Sequence, residues 1–371
     1  ENGTLSPSAE WCLLPVLIAT AQIQRKWLQR KPGWHEVTPG VLLGRKVTAK
    51  EAAALVEGGE LAVLDLTAEK SFIKWCVDQG ITVFVVSWKS ADSTMKDIVW
   101  DDYIAAQIDA IDTVCAGLKV DDVHTIGYCV AGTTLAATLA ILAAKGHAEK
   151  VKSATFFTAQ VDFEAAGELK VFIDQHQISA IEAVAKDGYL DGRYMAATFN
   201  LLRGSDLIWN YVINNYLMGD DPPAFDVLFW NADATNLSAS LLGDFLELFE
   251  ANAYAAPGTF DIAGHTLDLT KVKGDMFILG GTTDHITPWQ ACYRSTQLFG
   301  AKNVEFVLSQ AGHMQAILNP PGNPKAKYWR NSKGKPPADV KTWMKGAEEN
   351  AGSWWPFWTE WLAERSGKKV K

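Results

Sequence analysis

The stretch that decides the reading is Ile126-Gly127-Tyr128-Cys129-Val130-Ala131-Gly132-Thr133-Thr134. It joins a short apolar run, His124–Gly127, to an Ala/Leu-rich segment, Gly132–Ala144, that reads as a helix. A strand-to-helix turn of the form G-x-nucleophile-x-G presents its central residue at the C-terminal edge of a sheet. Small residues are needed there because the two backbones nearly touch. Ala131 stands where glycine is usual, and Gly132 follows it. A cysteine at this point gains from the positive end of the helix dipole, which favours the reactive thiolate. The competing reading is a structural cysteine buried beside a turn glycine.

Two distant loops favour the catalytic reading. Asp284 lies in Gly280-Gly281-Thr282-Thr283-Asp284-His285, after the strand-like run Asp275–Leu279. His313 lies in Ser309-Gln310-Ala311-Gly312-His313, after the run Val304–Leu308. Both sit just past the C-terminal ends of expected strands, where open parallel sheets build their sites. A thiol nucleophile needs a histidine base and a carboxylate that orients it. The order nucleophile, acid, histidine is that of the α/β-hydrolase fold. His285 competes as the base, and Asp65, Asp162 and Asp275 compete as the acid. None of these aspartates shares Asp284's place one strand before the histidine loop.

Further out, short apolar runs alternate with helical patterns, the mark of a mostly parallel sheet with crossover helices. Expected strands are Leu61–Asp65, Ile81–Ser87, His124–Gly127, Ser153–Phe157, Asp275–Leu279 and Val304–Leu308, with strand signals also at Thr259–Asp268. Ile81–Ser87 (ITVFVVS) is nearly all apolar and β-branched, as in a strand covered on both faces. Expected helices are Glu69–Asp78, Asp102–Gly117, Gly132–Ala144 and Pro288–Leu298. The alternation breaks over 160–255, which is mainly helical and rich in aromatics. The expected fold is therefore α/β: an α/β-hydrolase core over 61–159 and 256–371 with a helical cap inserted at 160–255. An independent second domain is the alternative. Asn319–Pro337 reads as an extended surface segment. The tryptophans from Trp343 to Trp361 recur at helical spacing and read as core packing.

Composition removes other classes. The 371 residues are 48% hydrophobic and 21% charged, an ordinary globular balance. A net charge of −9 argues against a nucleic-acid partner. The cysteines Cys12, Cys76, Cys115, Cys129 and Cys292 are odd in number, widely spaced and without a C-x-x-C, which gives neither a disulfide framework nor a zinc site and suits a reducing cytosol. The scattered histidines form no metal motif, so no metal is expected. The apolar run Trp11–Ala21 is too short to span a bilayer and has no basic stretch before it, so it reads as a buried or interfacial helix.

At this point the chain resembles the catalytic domain of polyhydroxyalkanoate (PHA) synthases, of class I/II type. The resembling stretches are LDLTAEKSFIKWCVDQG (Leu64–Gly80), VFVVSWKSADSTMKDIVWDDY (Val83–Tyr103), Gly127–Thr134, FDVLFWNADATNL (Phe225–Leu237), TDHITPWQACYRS (Thr283–Ser295), GHMQAILNPPGNPK (Gly312–Lys325) and SWWPFWTEWLAERSG (Ser353–Gly367). D-H-I-x-P-W followed by G-H-x-Q-x-I-x-N-P-P is the most specific of them. The resemblance implies polymerisation of (R)-3-hydroxyacyl-CoA into polyester with release of CoA. Cys129 would carry the acyl group, His313 and Asp284 would complete the triad, and the Val130 N–H would hold the oxyanion. It implies no metal or redox cofactor, coenzyme A entering only in the thioester substrate. It also implies a cytoplasmic enzyme on the polyester granule surface, as a homodimer.

The segment 1–60 departs from that family. Where the resemblance leads one to expect an apolar strand and a P-P-W-I-N-K turn, Thr48–Glu60 reads as helical. That turn should carry a second oxyanion donor, so reduced turnover is expected. Two other functions compete: an acyl-CoA thioesterase or hydrolase of the same fold, in which water takes the acyl group, and a weakly active polyester-granule binding protein.

Overall fold

Runs rich in Val, Ile, Phe and Thr become adjacent strands because each can be buried on both faces while its backbone polar groups pair sideways. In the computed structural model the described residues are 34–38, 41–44, 67–86, 88–167, 170, 173–185, 187–202, 204–221, 235–331 and 334–367. An antiparallel hairpin, β1 (Trp34–Thr38) and β2 (Val41–Gly44), comes first. The central sheet is built from β3 (Val123–Tyr128), β4 (Val151–Phe157), β9 (Asp275–Gly281), β10 (Val304–Ser309), β11 (Lys327–Arg330) and β12 (Glu348–Ala351). Its order is β12-β11-β10-β9-β4-β3. The short strands β5 (Tyr189–Leu190), β6 (Leu237–Ser238), β7 (Asp261–Ile262) and β8 (His265–Thr266) form two small separate ladders.

The pairs β3–β4, β4–β9 and β9–β10 are parallel and nearly in register: Tyr128 lies opposite Phe157, Phe157 opposite Leu279, and Leu279 opposite Val307. Their C-terminal ends therefore form one continuous edge. The chain leaves that edge in step, through Cys129 N–H to Phe157 O at 3.0 Å, Thr158 N–H to Leu279 O at 2.8 Å and Thr282 N–H to Ser309 O at 2.9 Å.

The helices are α1 (Phe72–Asp78), α2 (Trp100–Leu118), α3 (Val130–Ala144), α4 (Gln175–Val184), α5 (Gly192–Leu202), α6 (Ala239–Glu250), α7 (Trp289–Leu298), α8 (Val340–Gly346) and α9 (Trp355–Ala363). The side chain of Ser71 caps α1 by accepting from Lys74 N–H at 2.7 Å. Asp101 and Asp102 stand in the first turn of α2, as its helix dipole favours. Helix α3 is buried almost all round, and its sequence is accordingly small and mostly apolar, its buried Thr133, Thr134 and Thr138 hydroxyls being hydrogen-bonded.

The tryptophans of the C-terminal segment are core, and they also hold backbone. Trp343, Trp354, Trp355 and Trp358 are fully buried. Phe72, Phe157, Phe277 and the α9 tryptophans form one cluster beneath β4, β9 and β10. Trp358 Nε1 donates to Thr155 Oγ1 on β4 at 3.1 Å. The indole N–H groups of Trp354, Trp355 and Trp358 are thus satisfied inside the core, as burial requires.

Two sequence expectations need correction. Residues 81–86 of the expected strand Ile81–Ser87 form no ladder, and Phe84, Val85 and Val86 stand 56%, 54% and 50% exposed. An apolar run specifies burial but not a partner, and among the described residues no strand lies beside it or along the outer edge of β3. Within Asn319–Pro337, Lys327–Arg330 is β11, paired antiparallel with β10 and with β12. Expectations for Trp11–Ala21, Thr48–Glu60, Leu61–Asp65 and the second oxyanion donor before residue 64 lie outside the described residues.

Helices α4, α5 and α6, with two π-helical turns at Ser205–Trp209 and Val212–Leu217, occupy 160–255. The two ends of this stretch meet. Asn252 Oδ1 accepts from Phe163 N–H at 2.8 Å, and Asn252 Nδ2 donates to Asp162 at 3.2 Å. The buried Asp162 carboxylate also takes Arg294 Nε of α7 at 2.6 Å.

Candidate active site

Cys129 sits between β3 and α3 with φ 53° and ψ −127°, a left-handed backbone that an L side chain rarely adopts. The sequence pays for this strain with small neighbours. A Cβ on Gly127 would lie 2.5 Å from Gly132 Cα, and one on Gly132 would lie 2.3 Å from Ala159 Cβ. Gly132, not Ala131, makes the close approach, which explains why alanine is tolerated at 131. Val130 is the first residue of α3, so its N–H has no partner within the helix and is free to meet an oxyanion above Cys129.

The loops after β9 and β10 are laced together. Ala311 N–H donates to Thr282 Oγ1 at 3.0 Å, and Thr283 N–H to Ala311 O at 3.2 Å. Gly281 is required beneath them, because a Cβ there would come within 2.8 Å of Ala311 O. This lacing brings His313 Nδ1 to 2.7 Å from Asp284 Oδ2, with both residues 7% exposed. Asp284 Oδ1 accepts the N–H groups of Ile286 and Thr287, each at 2.9 Å. Thr287 Oγ1 lies 2.8 Å from Asp284 Oδ2 and 3.1 Å from His313 Nδ1.

On its other side the His313 ring lies within electrostatic reach of the Cys129 side chain. Burial pulls its pKa down, but the Cys129 charge, the hydrogen bond to Asp284 and the Asp284 charge together raise it to about 10. The ring is therefore held charged, as an imidazolium, beside Asp284 and Cys129. Tyr128 lies beside it, ring centroids 5.3 Å apart. Burial, then the charges of Cys129 and Asp284, keep the Tyr128 phenol well above its ordinary range, so it stays neutral.

The structure thus brings Cys129, Val130, Asp284 and His313 to one edge. The competitors are placed elsewhere or engaged elsewhere. Asp162 pairs with Arg294. Asp275 is at the opposite end of β9, held by Arg365 at 2.8 Å and Asn303 at 2.9 Å. Asp65 lies outside the described residues. The imidazole hydrogen-bonded to Asp284 Oδ2 is that of His313. Among the other cysteines, burial pushes Cys76 up to about 12, raises Cys115, and raises Cys292 well above its ordinary value.

Sequence reasoning missed two groups of supporting residues. Trp354 and Trp355 donate their indole N–H groups to Ala316 O and Ile317 O, each at 2.8 Å, and so clamp the chain just after His313. Thr287 is the other. A polar residue inside D-H-I-T-P-W was the available signal for it. Among the described residues, no group of three or more His, Cys, Asp or Glu side chains is arranged to hold a metal. No described helix is long and apolar enough to cross a membrane.

The α/β-hydrolase fold family matches residues 58–320. The chain is 45% identical over 310 residues to the poly(3-hydroxyalkanoate) polymerase subunit of Rhizobium meliloti, covering 83% of this chain and 50% of that protein. It is 46% identical over 310 residues to the poly(3-hydroxyalkanoate) polymerase of Methylorubrum extorquens, covering 83% and 51%. Against poly(3-hydroxyalkanoate) polymerase 1 of Ectopseudomonas oleovorans the figures are 41%, 83% and 55%. The chain spans about half the length of these curated relatives. From its match over 58–320, the strand order and the elbow at Cys129, the chain belongs to the α/β-hydrolase fold family, and over most of its length it is a sequence relative of the poly(3-hydroxyalkanoate) polymerases.

Proposed function

We propose that this chain polymerises (R)-3-hydroxyacyl-CoA into polyester through an acyl group carried on Cys129. The observation that carries the reading is a cysteine, rather than a serine, on a strained elbow beside a buried, hydrogen-bonded His313–Asp284 pair. The similarity to poly(3-hydroxyalkanoate) polymerases supports the same reading.

The chemistry follows from the geometry. The Cys129 thiolate attacks the thioester carbonyl, and the oxyanion takes the Val130 N–H. The carbon–sulfur bond to CoA breaks, and the His313 imidazolium gives its proton to the departing thiolate. The hydroxyl of another hydroxyacyl unit then loses its proton to His313 and attacks the acyl-cysteine. A new ester forms and the thiolate returns. Asp284 keeps the His313 tautomer fixed throughout, and no metal or redox cofactor takes part.

The segment 160–255 acts in this reading as a cap that keeps water from the acyl-cysteine. Its ends, stapled through Asn252 to Asp162 and Phe163, support an insertion hinged on the core. On it, Trp209, Ile213, Tyr216, Leu217 and Met218 are each at least half exposed. An apolar patch of this kind seeks a partner. It suits docking on a cytoplasmic polyester granule or on a second copy of the chain.

The test is incubation with 3-hydroxybutyryl-CoA, following CoA and insoluble polymer together. CoA with polymer is expected. CoA with free hydroxy acid would make the protein a thioesterase, and neither product would leave a granule-binding role.

A further inference from the structure

We propose that Thr287 is a positioning residue of this site, its hydroxyl fixing the Asp284 carboxylate against His313 and tying the acid loop to the turn after β4. The proposal rests on four contacts made by one buried residue. Thr287 Oγ1 is 2.8 Å from Asp284 Oδ2, 3.1 Å from His313 Nδ1 and 2.9 Å from Thr158 O. Thr287 N–H donates to Asp284 Oδ1 at 2.9 Å. Thr158 directly follows the strand beside the elbow and is itself held at φ 41°. Thr287 therefore touches the acid, the base and the strand end next to the nucleophile.

A hydroxyl has one proton and two lone pairs. His313 Nδ1–H is directed to Asp284 Oδ2 at 2.7 Å, so the Thr287 proton has two acceptors in reach: Asp284 Oδ2 and Thr158 O. Hydrogen bonds to an ionised group are the stronger kind. When His313 has given up its proton, the carboxylate is less compensated and draws the hydroxyl. When His313 is an imidazolium, the carboxylate is already paired and the hydroxyl is released to Thr158 O. Thr287 thus steadies a buried carboxylate that has no solvent to do so. It does this without touching substrate.

Losing this donor leaves the Asp284 carboxylate unsteadied when His313 is neutral, so the neutral state is disfavoured and the ring keeps its proton to higher pH. The charged and titratable groups facing His313 are Asp284 on the acid loop and Cys129 and Tyr128 at the end of β3. The Cys292 thiol lies behind Thr287, its Sγ 3.6 Å from Thr287 O.

The test uses the full chain and two readouts. The first is the rate of Cys129 alkylation by iodoacetamide against pH, read on the Cys129 peptide by mass spectrometry. The second is CoA release from 3-hydroxybutyryl-CoA, as kcat and KM separately. Thr287→Val keeps the shape and removes the hydroxyl. Its alkaline step in the alkylation profile should move up by about one pH unit, the scale of one charge-assisted hydrogen bond. Its kcat should fall roughly tenfold with KM within about twofold. Thr287→Ser keeps the hydroxyl and should retain the wild-type profile and kcat within about twofold.

A Thr287→Val profile that overlays the wild type overturns the proposal, as does a displaced profile in Thr287→Ser, which remains decisive if the valine variant does not fold. The turnover readout rests on the catalytic reading above, whereas the alkylation readout does not. A shifted alkylation profile with unchanged turnover would uphold the positioning role and count against Cys129 as the catalytic nucleophile.

Discussion

Two aromatic-rich segments of this chain have opposite fates. In and before α9, Trp354, Trp355 and Trp358 are buried against Phe72, Phe157 and Phe277, and their indole N–H groups end on Ala316 O, Ile317 O and Thr155 Oγ1. In the π-helical stretch 205–217 and just beyond it, Trp209 is 61% and Tyr216 82% exposed. The difference lies in what each segment packs against. Helix α9 lies on a sheet whose strands present aromatic rings, beside the loop carbonyls of Ala316 and Ile317 that take the Trp354 and Trp355 indole N–H groups, and it is consumed in holding the His313 loop. The second segment meets no such surface among the described residues. The buried aromatics therefore hold the loop that carries His313, while those of the second segment stand open to solvent.

The sharpest way to break this division is to remove reacting groups from the rigid side. Cys129→Ala should reduce CoA release by roughly 10³ or more, while Cys292→Ala should leave most of it. Comparable losses in both variants would mean that the packing of this region, and not the thiolate, limits the rate. Asp284→Asn preserves shape but disturbs the His313 tautomer, and a loss of roughly 10²–10⁴ in kcat is expected in steady-state assays.

Stability sharpens the same contrast. Trp358→Ala removes a buried ring from the α9 cluster and should cost about 3–5 kcal/mol in denaturant unfolding. Tyr216→Ser in the exposed segment should change stability by less than about 0.5 kcal/mol. Equal costs would show that the exposed aromatics are packed in solution.

The pH dependence of stability is a finer probe. The folded state holds the His313 proton to about pH 10, against an ordinary value of 6.5. A raised folded pKa stabilises fully below the unfolded value and is lost as pH rises through the folded one. The His313 contribution should therefore be complete below about pH 6.5 and gone above about pH 10. Thermal melts of wild type and His313→Gln across that window should converge as pH rises. Curves that stay parallel would remove the imidazolium from the account.

The smallest effect concerns 160–255 in its proposed role as a cap. A non-hydrolysable acyl-CoA analogue should change the protection of cut sites within 160–255 in limited proteolysis. Unchanged protection would leave a rigid helical layer with no gating role.

Much of the site was legible because its signals are local. Gly127-Tyr128-Cys129 and Gly132 carry their steric reason in adjacent residues, and Asp284 and His313 each follow a run that becomes a parallel strand. The fold was less legible where pairing is decided at a distance. Residues 81–86 have the composition of a covered strand, but composition does not supply a neighbour. Lys327–Arg330 has charged ends and lies among prolines, yet β10 offers it an edge and it pairs. The roles of Trp354 and Trp355 were invisible for the same reason, since their acceptors lie 38 residues away in sequence.

The most direct measurement is a single-turnover mixture of the protein with 3-hydroxybutyryl-CoA, quenched in acid and mapped by mass spectrometry. The account calls for a hydroxybutyryl increment on the peptide containing Cys129, formed together with CoA release and absent from Cys129→Ala. CoA release with no acyl group on Cys129, or undiminished release from the alanine variant, would contradict it.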